Sequence, residues 1–568
     1  MLMTHLVTAF SCLFFMVIVA TVSYFKTKGD TDTRDGYFLA NRGLNGAFIA
    51  GSMLLTNLSA EQLIGLNGSA YGFNLSSMAW EVTAAASTIC MALIFLPRYL
   101  AGAFTTLPEF LSQRFDDDVR RMTVLLFMVG YGLVTIPSVL YSGSIAVLLL
   151  FDLPEILDVS YSQALVMTIF LIGLIGSFYA VFGGLKAVAV SDTLNGIGLL
   201  IIGIAVPLLG LSLLGSGSMI EGLSIITKND THKLNAIGSA SDPTPFGTIF
   251  TGMVFANLFY WCTNQYVIQR TLAARNLSEG QKGVLFSGFF KVMIPFMMMI
   301  PGVIAYHLYG ESLASIDQAY PRLIRDVLPS YATGFFLAVL LGAVFSSFNS
   351  LLNSAATLFC LDVYIPMSSG AIDDKKLVSV AKFASIIIAL LSFLVAPLLQ
   401  YAPDGLWQII RIFTGFYNIP VIVLVIVGLF TKNVPPIGAK IVIIMHIILY
   451  ALFQFIFKDY IDIHFLHLYA ILFCLEVAVM LVLGFLNPLE TSWVYKNKEV
   501  VDLKPWRYVI PLSITLFSAI VFLYLLFSPL GVVNGFSGLF WTLVSVLILI
   551  NVFIWLVKVF DLNVGLKF

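Results

Sequence analysis

Thr56-Asn57-Leu58-Ser59-Ala60-Glu61-Gln62-Leu63-Ile64-Gly65 is the stretch whose reading decides the fold. It follows Met53-Leu54-Leu55 and runs into Leu66-Asn67-Gly68, so it lies in the middle of a long apolar segment. A membrane span takes about 20 predominantly apolar residues. Here Asn, Ser, Glu and Gln fall inside one, and a carboxylate facing lipid costs roughly 2.5–3.5 kcal/mol on insertion scales. The cluster must face protein, water or a ligand. A polar knot gluing neighbouring helices is the plainer reading; a solute or ion site is the functional one.

Composition sets the class. The chain has 568 residues, 59% hydrophobic and 11% charged, with mean hydropathy +0.96. Soluble domains carry about 25% charged residues, so this is a polytopic membrane protein whose surroundings are the lipid bilayer. No basic block points to nucleic acid, and nothing points to an obligate protein partner. Cys12, Cys90, Cys262, Cys360 and Cys474 form no CxxC pair, which argues against disulfides and metal clusters. Met1 to Phe25 is apolar without Lys or Arg, and Lys26 and Lys28 follow. A cleaved signal peptide has the opposite polarity, so this reads as a first span with its N-terminus outside.

Fifteen apolar spans are expected, at about 3–25, 44–66, 73–97, 120–148, 161–182, 189–214, 247–268, 283–306, 327–359, 377–400, 405–430, 437–457, 464–486, 508–528 and 538–558. Threaded from an outside N-terminus, the inner loops receive 23 Lys and Arg, Arg270 and Arg275 among them, and the outer loops 5. Such an asymmetry is the positive-inside signature. It supports a multi-pass protein of the cell membrane with its C-terminus inside. Lys291 and Arg411 lie within spans.

The order of spans suggests five units: 1–43, an extra N-terminal span and inner loop; 44–214, five spans; 215–246, an external loop; 247–430, five more; and 431–568, accessory spans. The two groups of five start in opposite orientations, and each first member is polar in mid-membrane, at Asn57 to Gln62 and at Asn257 to Gln265. Inverted repeats with interrupted first helices are how many secondary transporters build a midplane site. Neither polar centre contains Gly or Pro, so the interruption is inferred from Asn, Ser and Thr.

Several further residues are expensive in a membrane unless they are used. Glu81 sits in Ala79-Trp80-Glu81-Val82 and Lys291 in Phe289-Phe290-Lys291-Val292, ahead of Pro295. Paired across helices, or sharing a ligand, they are tolerable. With the Asn257 amide they supply donors and acceptors for a polyol; a structural bridge is the alternative. Ala343, Ser346 and Ser347 share a helix face at i, i+3, i+4. Two hydroxyls and a freed carbonyl suit a small hard cation, although Ser pairs in spans commonly bond back to the i−4 carbonyl. Asn257, Tyr260 and Trp261 share a face too, and read as a stacking platform or as core packing. Asp192 reads either as a helix N-cap or as part of an ion path. Glu476 lies outside the ten-helix core, as helix glue or a lipid-facing liability.

The runs Asn57-Leu58-Ser59-Ala60-Glu61-Gln62, Asn257-Leu258-Phe259-Tyr260-Trp261, Asn264-Gln265 and Gln269-Arg270-Thr271-Leu272-Ala273-Ala274 resemble the solute:sodium symporter family. The likeness is to its sodium/glucose and sodium/galactose branch. Gly183-Gly184-Leu185-Lys186-Ala187-Val188 and Leu352-Asn353-Ser354-Ala355-Ala356-Thr357 are similar to other runs of that branch, and the likeness covers roughly residues 30 to 430. The resemblance implies an all-α fold with a LeuT-type 5+5 inverted-repeat core, an extra N-terminal helix and about four extra C-terminal helices. It implies sodium-coupled uptake, with Na+ as the coupling ion held by carbonyls of Leu55, Leu58 and Ala343 and hydroxyls of Ser346 and Ser347. It further implies that Gln62, Glu81, Asn257 and Lys291 bond the sugar. Tyr260 would then stack beneath it as an inner gate, while Leu66, Trp80 and Trp407 cover it from outside. Two departures stand out: Ala84 replaces a sugar-contacting Ser of the galactose symporter, and Arg411 replaces a sugar-binding Gln.

The expected function is a sodium symporter for a hexose or related polyol. An acidic sugar such as a hexuronate or sialic acid, or inositol, is the alternative within the family, and a transporter-like sensor is a third reading. No HExxH, GxSxG or paired-Asp motif lies in the spans, so no enzyme is expected. A second sodium site at Asp192, with Ser347 or Ser350, stays open. Arg411 has two candidate carboxylate partners, one internal (Glu81 or Glu61) and one on the substrate.

Overall fold

The computed structural model describes residues 2–27, 39–58, 60–313, 316–368, 373–401, 406–457, 460 and 463–560. Inside a bilayer each backbone N–H and C=O must bond within its own segment, which favours helices. Twelve helices among the described residues are long and apolar enough to cross a membrane, and three shorter apolar ones, Gly46–Asn57, Tyr161–Ser177 and Gly252–Cys262, bring the number to the fifteen expected.

In chain order the helices are α1 (Leu2–Thr27), the interrupted pair α2 (Gly46–Asn57) and α3 (Ala60–Gly72), α4 (Leu75–Gly102), α5 (Asp117–Leu148) and α6 (Tyr161–Leu214). A second interrupted pair follows, α7 (Gly252–Cys262) and α8 (Gln265–Leu272), then α9 (Leu277–Tyr309), α10 (Ser330–Met367), α11 (Asp374–Tyr401) and α12 (Leu406–Phe430). The last four are α13 (Pro436–Ile456), α14 (Phe465–Leu486), α15 (Val509–Leu526) and α16 (Gly538–Val559). Of the twelve long helices α10 is the most enclosed and α16 the least.

Both expected interruptions are present, without Gly or Pro. At the first, Leu58 leaves helical geometry at φ −81, ψ 79. The Thr56 carbonyl, which an unbroken helix would bond to residue 60, accepts instead from Ser347 Oγ of α10 at 3.1 Å. The second break falls at Thr263 and Asn264, one to two turns beyond Asn257. Tyr131 Oη donates to Asn264 Oδ1 at 2.5 Å and accepts from the freed Tyr266 N–H at 3.3 Å. Side chains from other helices thus satisfy the broken ends, so the breaks are tertiary features.

The expected spans at 161–182 and 189–214 are present as two apolar segments, Tyr161–Ser177 and Ala189–Leu214, of the helical run α6. Two expectations are corrected. Asp192 is inside a helix and caps nothing. Arg270, expected in an inner loop, is fully buried in α8.

Arg114 shows what a buried arginine can do at a helix end. Its guanidinium donates to the carbonyls of Gly428, Val434 and Thr431 at 3.0–3.3 Å. It thereby places positive charge at the C-terminus of α12, where the helix dipole is negative. Glu476 is resolved as glue, since it meets His446 Nδ1 at 2.6 Å with both side chains fully buried.

Candidate functional site

The two breaks face one cavity. Counting its open mouth, the space between its atoms amounts to ≈ 890 Å³. Gln62, Trp80, Glu81, Asn257, Tyr260, Lys291 and Arg411 all line it.

Its centre is an ion pair. Lys291 Nζ donates to Glu81 Oε2, and Gln62 Nε2 donates to Glu81 Oε1 at 3.2 Å. Both charged groups are at most 3% exposed, so neither would be affordable without the other. α9 and α4 close tightly one turn from Lys291 and two turns from Glu81, where a Cβ on Gly288 would sit 2.3 Å from Thr88 Oγ1. Four residues beyond Lys291, Pro295 has no N–H to give, which removes the helical partner of the Lys291 carbonyl; the helix there widens into a π turn, Pro295–Met299. Asn257 Nδ2 donates to Thr83 Oγ1 at 2.9 Å. Tyr266 Oη donates to Tyr260 Oη at 2.6 Å. Arg411 lies with its guanidinium carbon 4.5 Å from the Trp80 ring centre, and Ala84 leaves this wall without a hydroxyl.

Of the oxygen groups expected for sodium, the Ser347 hydroxyl lies at the first break. Leu55, Leu58, Ala343, Ser346 and Ser347 are all buried, and the Ser347–Thr56 bond holds α10 against the end of α2. Asp192 and Ser350 stand in a network with Arg270. Ser52 Oγ donates to Asp192 Oδ2 and accepts from Arg270 Nε, both at 2.7 Å. Arg270 also donates to Ser350 Oγ and to the Tyr266 carbonyl. Leu66 lies in the hydrophobic core and not among the cavity's walls. The Trp407 side chain lies outside the described residues.

Sequence reasoning missed part of the wall. Thr414, Tyr417 and Asn418 join Arg411 along one face of α12, and Tyr469 enters from α14. The 411, 414, 418 spacing was visible as a helical face; Tyr469 carries no local signal. Among the described residues no group of three or more His, Cys, Asp or Glu is placed to hold a metal ion.

A profile of the Sodium:solute symporter family matches residues 37–445. An uncharacterized symporter of Escherichia coli K12, YidK, is 42% identical over 96% of this chain and 94% of its own. A sodium/glucose cotransporter of Vibrio parahaemolyticus is 31% identical over 74% of this chain and 79% of its own. Among solved structures, a Na+-coupled sialic acid symporter, substrate-bound and outward-open, superposes with TM-score 0.74 at 20% identity, over 86% of this chain and 99% of its own. The last likeness speaks for the fold, an all-helical LeuT-type one. The family match covers well over half of the chain and agrees with the paired breaks around a central cavity. The chain belongs to the sodium:solute symporter family, a family of multi-pass membrane transporters and not of enzymes.

Proposed function

We propose that this symporter imports a hexose or related polyol together with sodium, by alternating access, with its N-terminus outside. The observation that carries the reading is the Glu81–Lys291 pair in the cavity wall. A carboxylate offers acceptors, an ammonium donors, and the amides of Gln62 and Asn257 both. A neutral polyol finds partners there for hydroxyls of either sense without adding charge. Tyr260 would stack on the sugar and close the inner path, with Trp80 covering it from outside. The name of the Vibrio relative, sodium/glucose cotransporter, points the same way.

Sodium would bind the carbonyls of Leu55, Leu58 and Ala343 and the hydroxyls of Ser346 and Ser347. Inward movement of one charge releases about 2.3 kcal/mol per 100 mV, which drives uptake of a neutral solute. For coupling, sodium must favour the outward-open state that binds solute, since a ligand shifts an equilibrium only through differential affinity.

Arg411 favours a second reading, an acidic sugar. It brings a permanent cation with five donors and no acceptor to the cavity. A competition panel in proteoliposomes, with and without a sodium gradient, tests both. Sodium-dependent competition by neutral hexoses or inositol supports the first reading. Competition confined to hexuronate or sialate supports the second, and no sodium dependence for any solute overturns both.

A further inference from the structure

α14 lies wholly beyond residue 445, where the family match stops, yet it reaches the solute cavity. Tyr469 lines the cavity, and its hydroxyl donates to the Arg411 carbonyl of α12 at 2.6 Å. From α13, Tyr450 Oη donates to the Ile412 carbonyl at 2.9 Å, and His446 Nε2 lies 2.9 Å from the Gly415 carbonyl. Gly415 permits the approach: a Cβ there would sit 2.4 Å from Tyr450 Oη and 2.7 Å from Tyr469 Oη. His446 Nδ1 in turn meets Glu476 Oε1 at 2.6 Å.

We propose that Tyr469 is a solute-contacting, specificity-determining residue, its proton committed to the Arg411 carbonyl and its oxygen accepting a hydrogen bond from one solute hydroxyl. Tyr450, His446 and Glu476 are positioning residues that hold α12 by its backbone. The contrast with Tyr450 makes the case, because that ring is bonded to the same helix but is absent from the cavity wall. The proposal rests on the polyol reading of the cavity. It adds an acceptor to the site from outside the two five-helix groups.

The test compares Tyr469→Phe with Tyr450→Phe in proteoliposomes, using the best solute of the panel and its monodeoxy analogues. Tyr469→Phe should raise KM roughly three- to ten-fold, the effect of one neutral hydrogen bond. Vmax and sodium half-saturation should hold, and the penalty should vanish for the one analogue lacking the contacted hydroxyl. Tyr450→Phe should leave the ranking of analogues unchanged. A Tyr469→Phe penalty equal for every analogue, or none at all, overturns the proposal. A second arm does not depend on solute identity. Tyr469→Cys, in a background without the five native cysteines, should react with a small hydrophilic thiol reagent and be protected by transported solute. Absence of reaction overturns the placement of Tyr469 at the site. Protection by a non-polyol alone keeps that placement but overturns the accepted solute hydroxyl together with the polyol reading.

Discussion

Arg270 reaches Asp192 through a single hydroxyl, that of Ser52, which accepts from the guanidinium and donates to the carboxylate at 2.7 Å each. All three residues are buried. A permanent cation thus already stands beside Asp192 and Ser350, where a second sodium was conceivable from the sequence. Another cation within about 5 Å of it would meet a repulsion of about 3 kcal/mol at an effective dielectric of 20. The expected stoichiometry is one sodium per solute, read from the reversal potential as sodium and solute gradients are varied. A ratio of two would require Arg270 to leave this network during the cycle.

Ser347 carries the sodium prediction. Its hydroxyl is held 3.1 Å from the Thr56 carbonyl at the first helix break. Ser347→Ala removes one oxygen and hardly changes helix or volume. Sodium half-saturation should rise roughly ten-fold, the scale of about 1.4 kcal/mol for a lost polar contact, with membrane insertion intact. Unchanged sodium activation would move the cation elsewhere.

The Glu81–Lys291 pair separates binding from structure. Removing one partner strands the other as a buried charge, which costs about 3–5 kcal/mol, whereas replacing both is often close to neutral. In detergent, Glu81→Gln and Lys291→Met should each lower thermal stability, and the double variant should recover much of it. Solute binding should weaken by about 1.5–3 kcal/mol in each single variant and stay weak in the double. A double variant that binds solute like the wild type would make the pair a structural bridge.

Hydropathy and charge made the spans legible because a bilayer constrains length and composition directly. The interrupted helices were legible from Asn, Ser and Thr in mid-membrane, but not their ends. Those depend on Ser347 and Tyr131, which lie 291 and 135 residues from the groups they satisfy. Arg270 reads from the sequence as a loop residue because a basic side chain shortly after an apolar run looks like an inner flank. Its burial depends on Ser52, Ser350 and the Tyr266 carbonyl, and only Tyr266 is near in sequence. Tyr469 was illegible for the same reason.

Arg411 decides what charge the solute carries. Its guanidinium lies over Trp80, and its backbone carbonyl is fixed by Tyr469. Of the two internal carboxylates named from sequence, Glu81 is engaged by Lys291 and Gln62. Glu61, the other, lines the same cavity as Arg411. With Glu61, Glu81, Lys291 and Arg411 all at the cavity, two negative and two positive charges cancel, and a neutral solute keeps that balance. Arg411→Gln should therefore retain or improve neutral-hexose binding once Glu61→Gln is combined with it, and hexuronate should compete poorly in every variant. The measurement is equilibrium binding of a labelled hexose displaced by neutral and acidic sugars. Tight hexuronate binding by the wild type, lost in Arg411→Gln and untouched by Glu61→Gln, would assign the guanidinium to the substrate's carboxylate and replace the neutral-polyol reading by the acidic one.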